Sequence, residues 1–330
     1  MNLGRVRGCL IGGAIGDALG APVEFDSLHR IRADHGPAGI TDLTDGLVTD
    51  DTQMTLFTVE GLIRGNVRGR ERGISHVPSV VRHAYLRWLD TQDHPAPPPP
   101  GDAFHRTGRL REQTWLYARR APGNACLSGL RGNVNPDSKG CGTVMRSAPF
   151  GLGPWPADQA YAWAAECSRF THGHPTATAS AGALAAIVHH LTNDATLEQA
   201  VAATLPLIDD SATTKALQGA VDLARSGPPS AAKVESLGEA WVAEEALAIG
   251  VYCALAETTF ADALILAVNH SGDSDSTGSI CGNLLGAAGW EIPARWADRV
   301  EGRDTIAELA DDFVMEMTRG GASWDRYPGN

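Results

Sequence analysis

Glycine recurs at every fourth position in two stretches of this chain: Gly4, Gly8, Gly12, Gly16 and Gly20 near the start, then Gly278, Gly282 and Gly286 towards the end. Inside a helix each glycine costs about 0.8–1.0 kcal/mol relative to alanine, so a helical reading of these stretches demands a compensating contact. At 3.6 residues per turn, positions four apart lie on nearly one face. A face without side chains lets another backbone come close. The spacing therefore predicts two helices in the crowded centre of the molecule; the competing reading is a pair of glycine-rich loops.

The rest of the chain favours helices. Apolar residues recur with a helical period, and no run alternates as a half-buried strand would. The pattern predicts helices over 3–20, 51–64, 76–90, 109–119, 158–170, 176–192, 197–208, 212–225, 238–256, 259–268, 276–288 and 303–318. Segments such as ATASAGALAAIVHHL and EALAIGVYCALAE combine high helix propensity with an apolar face. The stretch HPAPPPPGD (94–102) cannot be helical, because proline lacks a donor and restrains the residue before it. SGPPSAAK (226–233) reads as a second loop. No repeat and no shift in composition marks a boundary, so the expectation is an all-α chain forming a single domain over 1–330, within the size that one large core can serve.

Charge narrows the partners. With 27 Lys and Arg against 39 Asp and Glu the net charge is −12, which argues against long contacts with duplex nucleic acid and against binding to an anionic membrane. The six cysteines (Cys9, Cys126, Cys141, Cys167, Cys253, Cys281) are scattered without a C-x-x-C pair, and this points to a reducing cytoplasm rather than a disulfide framework. MNLGRVRGCLIGGAIGDALG imitates a signal peptide, but Asp17 interrupts it, and the uncharged run Gly8–Gly16 is too short to span a bilayer.

Two acidic clusters carry the chemistry. In VTDDTQMTLF (48–57), Asp50 and Asp51 stand side by side at the head of an apolar segment, where like charges repel and lose hydration. One reading is a helix cap. The second cluster, NHSGDSDSTGSICGN (269–283), offers Asp273, Asp275, Ser276 and Thr277 just ahead of the second glycine ladder. Residues two apart in an extended segment point the same way, so Asp273 and Asp275 are expected to converge, whereas adjacent Asp50 and Asp51 are expected to face different ions. Carboxylate and hydroxyl oxygens are hard ligands suited to magnesium, manganese or calcium, and paired hydrolytic ions lie about 3.5–4 Å apart. A calcium-binding EF-hand is excluded, because its twelfth position, counted from Asp273, is Leu284 instead of a glutamate.

The chain carries no phosphate-binding G-x-x-x-x-G-K-[ST] loop, no H-E-x-x-H and no G-x-S-x-G. KGCGTVM (139–145) lacks the third glycine of a dinucleotide fingerprint. Gly140 and Gly142 there either let backbone N–H groups approach a phosphate or simply make a turn. In RFTHGHPTATAS, His172 precedes a helix opened by Pro175. It is placed either to donate to an anionic ligand or to satisfy a neighbour.

Together GDALGAPVEF (16–25), TDDTQM (49–54), KGCGTVMR (139–146), THGHPTA (171–177) and GDSDSTG (272–278) resemble the ADP-ribosylglycohydrolase family, in family order and across most of the chain. The resemblance implies a compact orthogonal helical bundle with two divalent cations, Mg2+ or Mn2+. It implies metal ligands at Thr49, Asp50, Asp51, Asp273, Asp275 and Ser276, with Glu24 as a movable acid beside them. Gly140, Cys141, Gly142, Thr143 and His172 would hold the diphosphate and the nearby ribose of ADP-ribose. Ser276, GCG and THGHP look like the arginine-specific branch, so the implied substrate is an ADP-ribosylated protein, arginine-linked. Lys139 stands where certain relatives offer an aromatic residue for adenine, and substrate-side contacts are expected in AFHRTGRLREQT (103–114).

The expected reaction is hydrolysis at C1″ of the distal ribose. Positive charge develops at that carbon, and surrounding carboxylates stabilise it. Glu24, Asp51 and Asp275 are the candidate catalytic residues, with Glu24 and Asp275 moving protons. The alternatives are a binuclear nucleotide phosphohydrolase, using the same ligands to bridge a phosphate, and a non-catalytic ADP-ribose-binding relative.

Overall fold

The computed structural model describes residues 1–101 and 103–329, so Asp102, at the end of the proline-rich stretch, and Asn330 lie outside it. Two helices form its centre. Helix α1 (Leu3–Gly20) starts where the Asn2 side chain accepts from Gly4 N and Arg5 N, and its predicted span is the observed one. Between it and the second acidic-headed helix the chain forms α2 (Leu28–His35), α3 (Asp50–Arg72), α4 (Val77–Asp93), α5 (Asn124–Leu130), α6 (Ala157–Ser168), α7 (Pro175–Thr192), α8 (Leu197–Thr204), α9 (Ser211–Arg225), α10 (Ala231–Glu235), α11 (Ala243–Ala256) and α12 (Phe260–Val268). Then come α13 (Ser274–Ala288), α14 (Ala294–Ala297) and α15 (Arg303–Arg319). The described residues contain no strand, only two isolated bridges, Asn135 with His172 and Gly140 with Val242. None of the described helices is long and apolar enough to cross a membrane.

The glycine ladders explain the centre. α1 and α13 run antiparallel with backbones touching: a Cβ on Gly8 would lie 2.7 Å from the carbonyl oxygen of Gly286, and Gly12 meets Gly282, Gly16 meets Gly278 and Gly20 meets Ser274 more closely still. Gly13 makes room for Asn283, whose Nδ2 donates to Cys9 O at 2.8 Å. Contact in this direction brings the C-terminal end of α1 to the N-terminal end of α13. Asp17 and the following Glu24 therefore meet the segment Asp273–Ser276. α7 and α11, rich in buried alanine, pack around this pair.

Several predicted boundaries change for tertiary reasons. The helix predicted over 51–64 continues to Arg72, because its polar end is held by α15: Asn66 Nδ2 donates to Glu316 Oε1 at 2.9 Å, and Arg70 bonds Glu316 and Ala322 O. The helix predicted over 109–119 is two 3-10 turns, Leu110–Glu112 and Thr114–Tyr117. There Glu60 Oε1 takes Leu110 N, Gln53 Nε2 donates to Ala118 O, and Tyr117 OH donates to Arg111 O. Side chains thus replace helical partners.

The helix predicted over 238–256 starts only at Ala243. The preceding residues run beside the site instead, with Asp273 N donating to Glu239 O, Cys141 N to Trp241 O and Ala243 N to Lys139 O. Helices α2, α5, α10 and α14 were not anticipated, and α10 begins inside the stretch read as a loop over 226–233.

Candidate active site

The N-terminus of α3 and the N-terminus of α13 face each other across a cavity of about 450 Å³. Glu24, Asp50, Asp51, Asp273, Asp275 and Ser276 line it, together with Gly140, Cys141, Gly142 and His172. Residues 121–126, Met145, Phe25 and Trp241 complete the wall. Of the twelve residues named as catalytic, binding or metal-ligating candidates, all but Thr49 and Thr143 line the cavity. Thr49 lies behind the lining, its Oγ1 donating to Asp275 Oδ2 at 3.1 Å. Thr143 is fully buried and turns its hydroxyl to Ala177 O at 3.0 Å, so its side chain is spent on α7.

Local structure sets each acid. Thr49 is the N-cap of α3, which puts Asp50 and Asp51 in the first turn rather than in the capping position. Asp50 Oδ2 accepts from Gly123 N at 3.1 Å, while Asp51 Oδ2 is buried with no hydrogen-bond partner. The two neighbours thus differ in their partners.

Asp273 and Asp275 converge, but by a different route from the one predicted. The helix begins at Ser274, two residues earlier than the pattern suggested, so Asp273 is its N-cap and Asp275 belongs to its first turn. Ser276 N donates to Asp275 Oδ1 at 2.9 Å and to Asp273 Oδ1 at 3.4 Å. Glu24, carried in just after α1, brings a carboxylate oxygen to within 4.8 Å of oxygens of Asp273 and Asp275.

Such crowding has an electrostatic cost. Burial, with Asp275 the next contribution, pushes Glu24 up to about 10 and raises Asp51 and Asp273 well above the usual carboxylate range. Asp50 is raised by burial against the opposing hydrogen bond from Gly123. None of the described lining residues is a lysine or arginine. A buried carboxylate oxygen without a partner, set among further carboxylates and a serine hydroxyl, fits divalent cations that favour oxygen ligands.

The opposite wall is built to be bare and neutral. A Cβ on Gly142 would meet Cys126 Sγ at 2.8 Å, and one on Gly140 would lie tightly against His172 Nε2 at 3.1 Å, so the loop packs closely on these two side chains. His172 Nδ1 lies 2.7 Å from Thr171 Oγ1, which also accepts from Arg146 Nη2 at 2.7 Å. Burial and then the Arg146 charge lower His172 to about 3, leaving the imidazole neutral. Cys141 Sγ donates to Asp273 Oδ2 at 2.6 Å and joins this wall to the acidic one.

Three parts of the site escaped the sequence reading. The stretch Ala121–Cys126 lines the cavity, whereas none of the described residues of 103–114 does; Arg106 and Arg109 of that stretch are paired with Asp90 and Glu308. Phe25 and Trp241 stack at the rim with centroids 5.2 Å apart, while Lys139, the position considered for an adenine contact, pairs with Glu244. Asp17 is the third. Fully buried behind the cavity, it accepts from Thr49 N and Thr52 N, each at 3.0 Å, and is raised to about 7 by burial and by Asp275. Its signal was available as the one acid among the residues that bear the glycine ladder.

The family model for ADP-ribosylglycohydrolase matches residues 2–322. The chain belongs to the ADP-ribosylglycohydrolase family. It is an enzyme that hydrolyses ADP-ribosyl groups, and the resemblance read from its five motifs holds across the chain. It is 27% identical to ADP-ribosylarginine hydrolase Tri1 of Serratia proteamaculans, over 94% of this chain and 79% of that protein. It is also 27% identical to ADP-ribosyl-[dinitrogen reductase] glycohydrolase of Rhodospirillum rubrum, over 90% of each. Among solved structures, an ADP-ribosylglycohydrolase-related protein complex superposes with a TM-score of 0.65 at 24% identity, covering 94% of this chain and 97% of the other. This supports the all-α ADP-ribosylglycohydrolase fold.

Proposed function

We propose that this glycohydrolase, acting as one domain over 1–330, removes ADP-ribose from arginine side chains of modified proteins by cleaving the bond to C1″. The carrying observation is the convergence of the Glu24, Asp273 and Asp275 carboxylates in a cavity that Asp51, with its unpartnered buried Oδ2, also lines. The arginine linkage is supported by the arginine hydrolase among its relatives. Thr49, Asp50, Asp51, Asp273, Asp275 and Ser276 are the ligand set for two divalent cations, Mg2+ or Mn2+. When bound, such ions supply Lewis acidity and an activated water at neutral pH.

The chain's own groups do the rest. Cleavage builds positive charge at C1″, and the surrounding carboxylates stabilise that charge more than they stabilise the ground state. Glu24, whose carboxyl is raised by burial and by the neighbouring carboxylates, is the group proposed to pass a proton to the departing guanidine nitrogen. Asp275, beside it, is placed to take the proton of the incoming water. Gly140, Cys141 and Gly142 leave room for the diphosphate, Thr143 contributes only backbone to that loop, and neutral His172 offers a hydrogen bond without adding charge.

Release of free ADP-ribose from arginine-linked and serine-linked ADP-ribosyl peptides, with Mg2+, Mn2+ or chelator, tests the proposal. Metal-dependent release from the arginine linkage supports it. AMP and ribose phosphate as products would point instead to a phosphohydrolase, and tight ADP-ribose binding without turnover of any linkage to a non-catalytic relative.

A further inference from the structure

We infer that Asp17 is a positioning residue: it caps α3 from outside that helix and so leaves a lone pair of the Thr49 hydroxyl oxygen for the ion cluster. The inference rests on the metal-site reading above. An N-cap threonine ordinarily spends its side-chain oxygen on the free N–H two or three residues on. In α3 the N–H three residues on, Thr52 N, is taken by Asp17 Oδ2 at 3.0 Å, and Thr52 Oγ1 donates to the same oxygen. Asp17 Oδ1 accepts from Thr49 N at 3.0 Å. With those donors satisfied by α1, the Thr49 Oγ1 lone pairs accept only a long 3.4 Å bond from Asp51 N, while the O–H donates to Asp275 Oδ2 at 3.1 Å.

Asp17 is itself held where it can do this. It follows Gly16, whose backbone lies against that of Gly278, and precedes Gly20, whose backbone lies against Ser274. The carboxylate therefore rides on the helix contact that also places α13. One buried side chain thus ties the head of α3 to the α1–α13 pair without lining the cavity. Asparagine would keep the size of the group but turn an amide N–H2 towards donors, leaving one of them unpaired in the interior.

The test is Mn2+ binding by the full chain, read from the loss of the free-ion electron paramagnetic resonance signal, alongside thermal unfolding in chelator. Asp17→Asn should bind Mn2+ roughly 10- to 100-fold more weakly, the range seen when a residue that orients a ligand is lost. Thr52→Val, which removes one donor and no charge, should keep the fold and weaken binding by a smaller factor, and it decides the matter if Asp17→Asn does not fold. A merely structural role would lower the melting temperature and leave the Mn2+ affinity of the folded protein unchanged, and that result overturns the inference. Absence of Mn2+ binding by the unsubstituted protein would overturn the metal-site reading itself, whereas full affinity in both variants overturns only the role of Asp17.

Discussion

Gly16 and Gly278 lie back to back, each so placed that a Cβ on one would fall inside the carbonyl group of the other. Replacing Gly16 or Gly282 with alanine therefore requires α1 and α13 to move apart, and overpacking of this kind costs typically about 1–3 kcal/mol or more. Gly219 on α9 has nothing within 4 Å of its missing Cβ, so Gly219→Ala should gain up to about 1 kcal/mol from helix propensity. Urea unfolding of the three variants checks the contrast. Equal effects at all three positions would mean that the ladder is not a backbone contact. Activity should fall in Gly16→Ala, because the same contact places Asp17 and Asp275.

Ion binding should raise stability as well as activity. Buried carboxylates without counter-charge repel, so Mg2+ or Mn2+ at about 100-fold above Kd should stabilise the fold by about 2.7 kcal/mol per site, and chelator should remove that gain. Asp51→Asn and Asp273→Asn lose a charge from the cluster. In chelator they should melt at or above the temperature of the parent protein, yet show little response to added ion and release no ADP-ribose. Normal hydrolysis by either variant contradicts the ligand assignment.

His172 should make the protein acid-sensitive. Its folded-state value of about 3 lies below the ordinary 6.5, so its contribution to stability is complete above pH 6.5 and is lost as the pH falls towards 3. By pH 5 that loss amounts to about 2 kcal/mol. His172→Gln removes the titration. The difference in unfolding free energy between pH 7.5 and pH 5 should therefore be smaller in the variant, and identical differences would mean that the imidazole is not held neutral.

What could be read in the sequence followed from local cost. A glycine every four residues is so unfavourable in a helix that it implied its own compensation, and the span 3–20 was recovered to the residue. Paired acids beside apolar runs were equally visible, and Asp50, Asp51, Asp273 and Asp275 do share one cavity. What was missed depends on partners distant in the chain. Asp17 meets its partners 32 and 35 residues on. The segment before Ala243 has helical composition, but bonds to Lys139, Cys141 and Asp273 hold it along the cavity wall. The turns at 110–117 depend on Glu60 and Gln53, which no local pattern connects to them.

That cavity wall carries the last prediction. Phe25 is 66% exposed and has φ of 72°, a left-handed backbone that costs a bulky residue about 1–3 kcal/mol. Phe25 N donates to Gly272 O at 3.2 Å, which ties this conformation to the turn before Asp273, and its ring stacks on Trp241 at an interplanar angle of 20°. An exposed ring on a strained backbone, directly after Glu24, is suited to meet a planar group entering the cavity. Phe25→Gly should relieve the strain and leave the melting temperature equal or higher, while raising KM for arginine-linked substrate several-fold with a smaller effect on kcat. Trp241→Ala should raise KM in the same direction, because the outer ring loses its support. Thermal unfolding and steady-state kinetics together decide: unchanged KM in both variants would confine the aromatic pair to packing, whereas higher stability with weaker substrate capture in Phe25→Gly would show that the strain is kept for the ring.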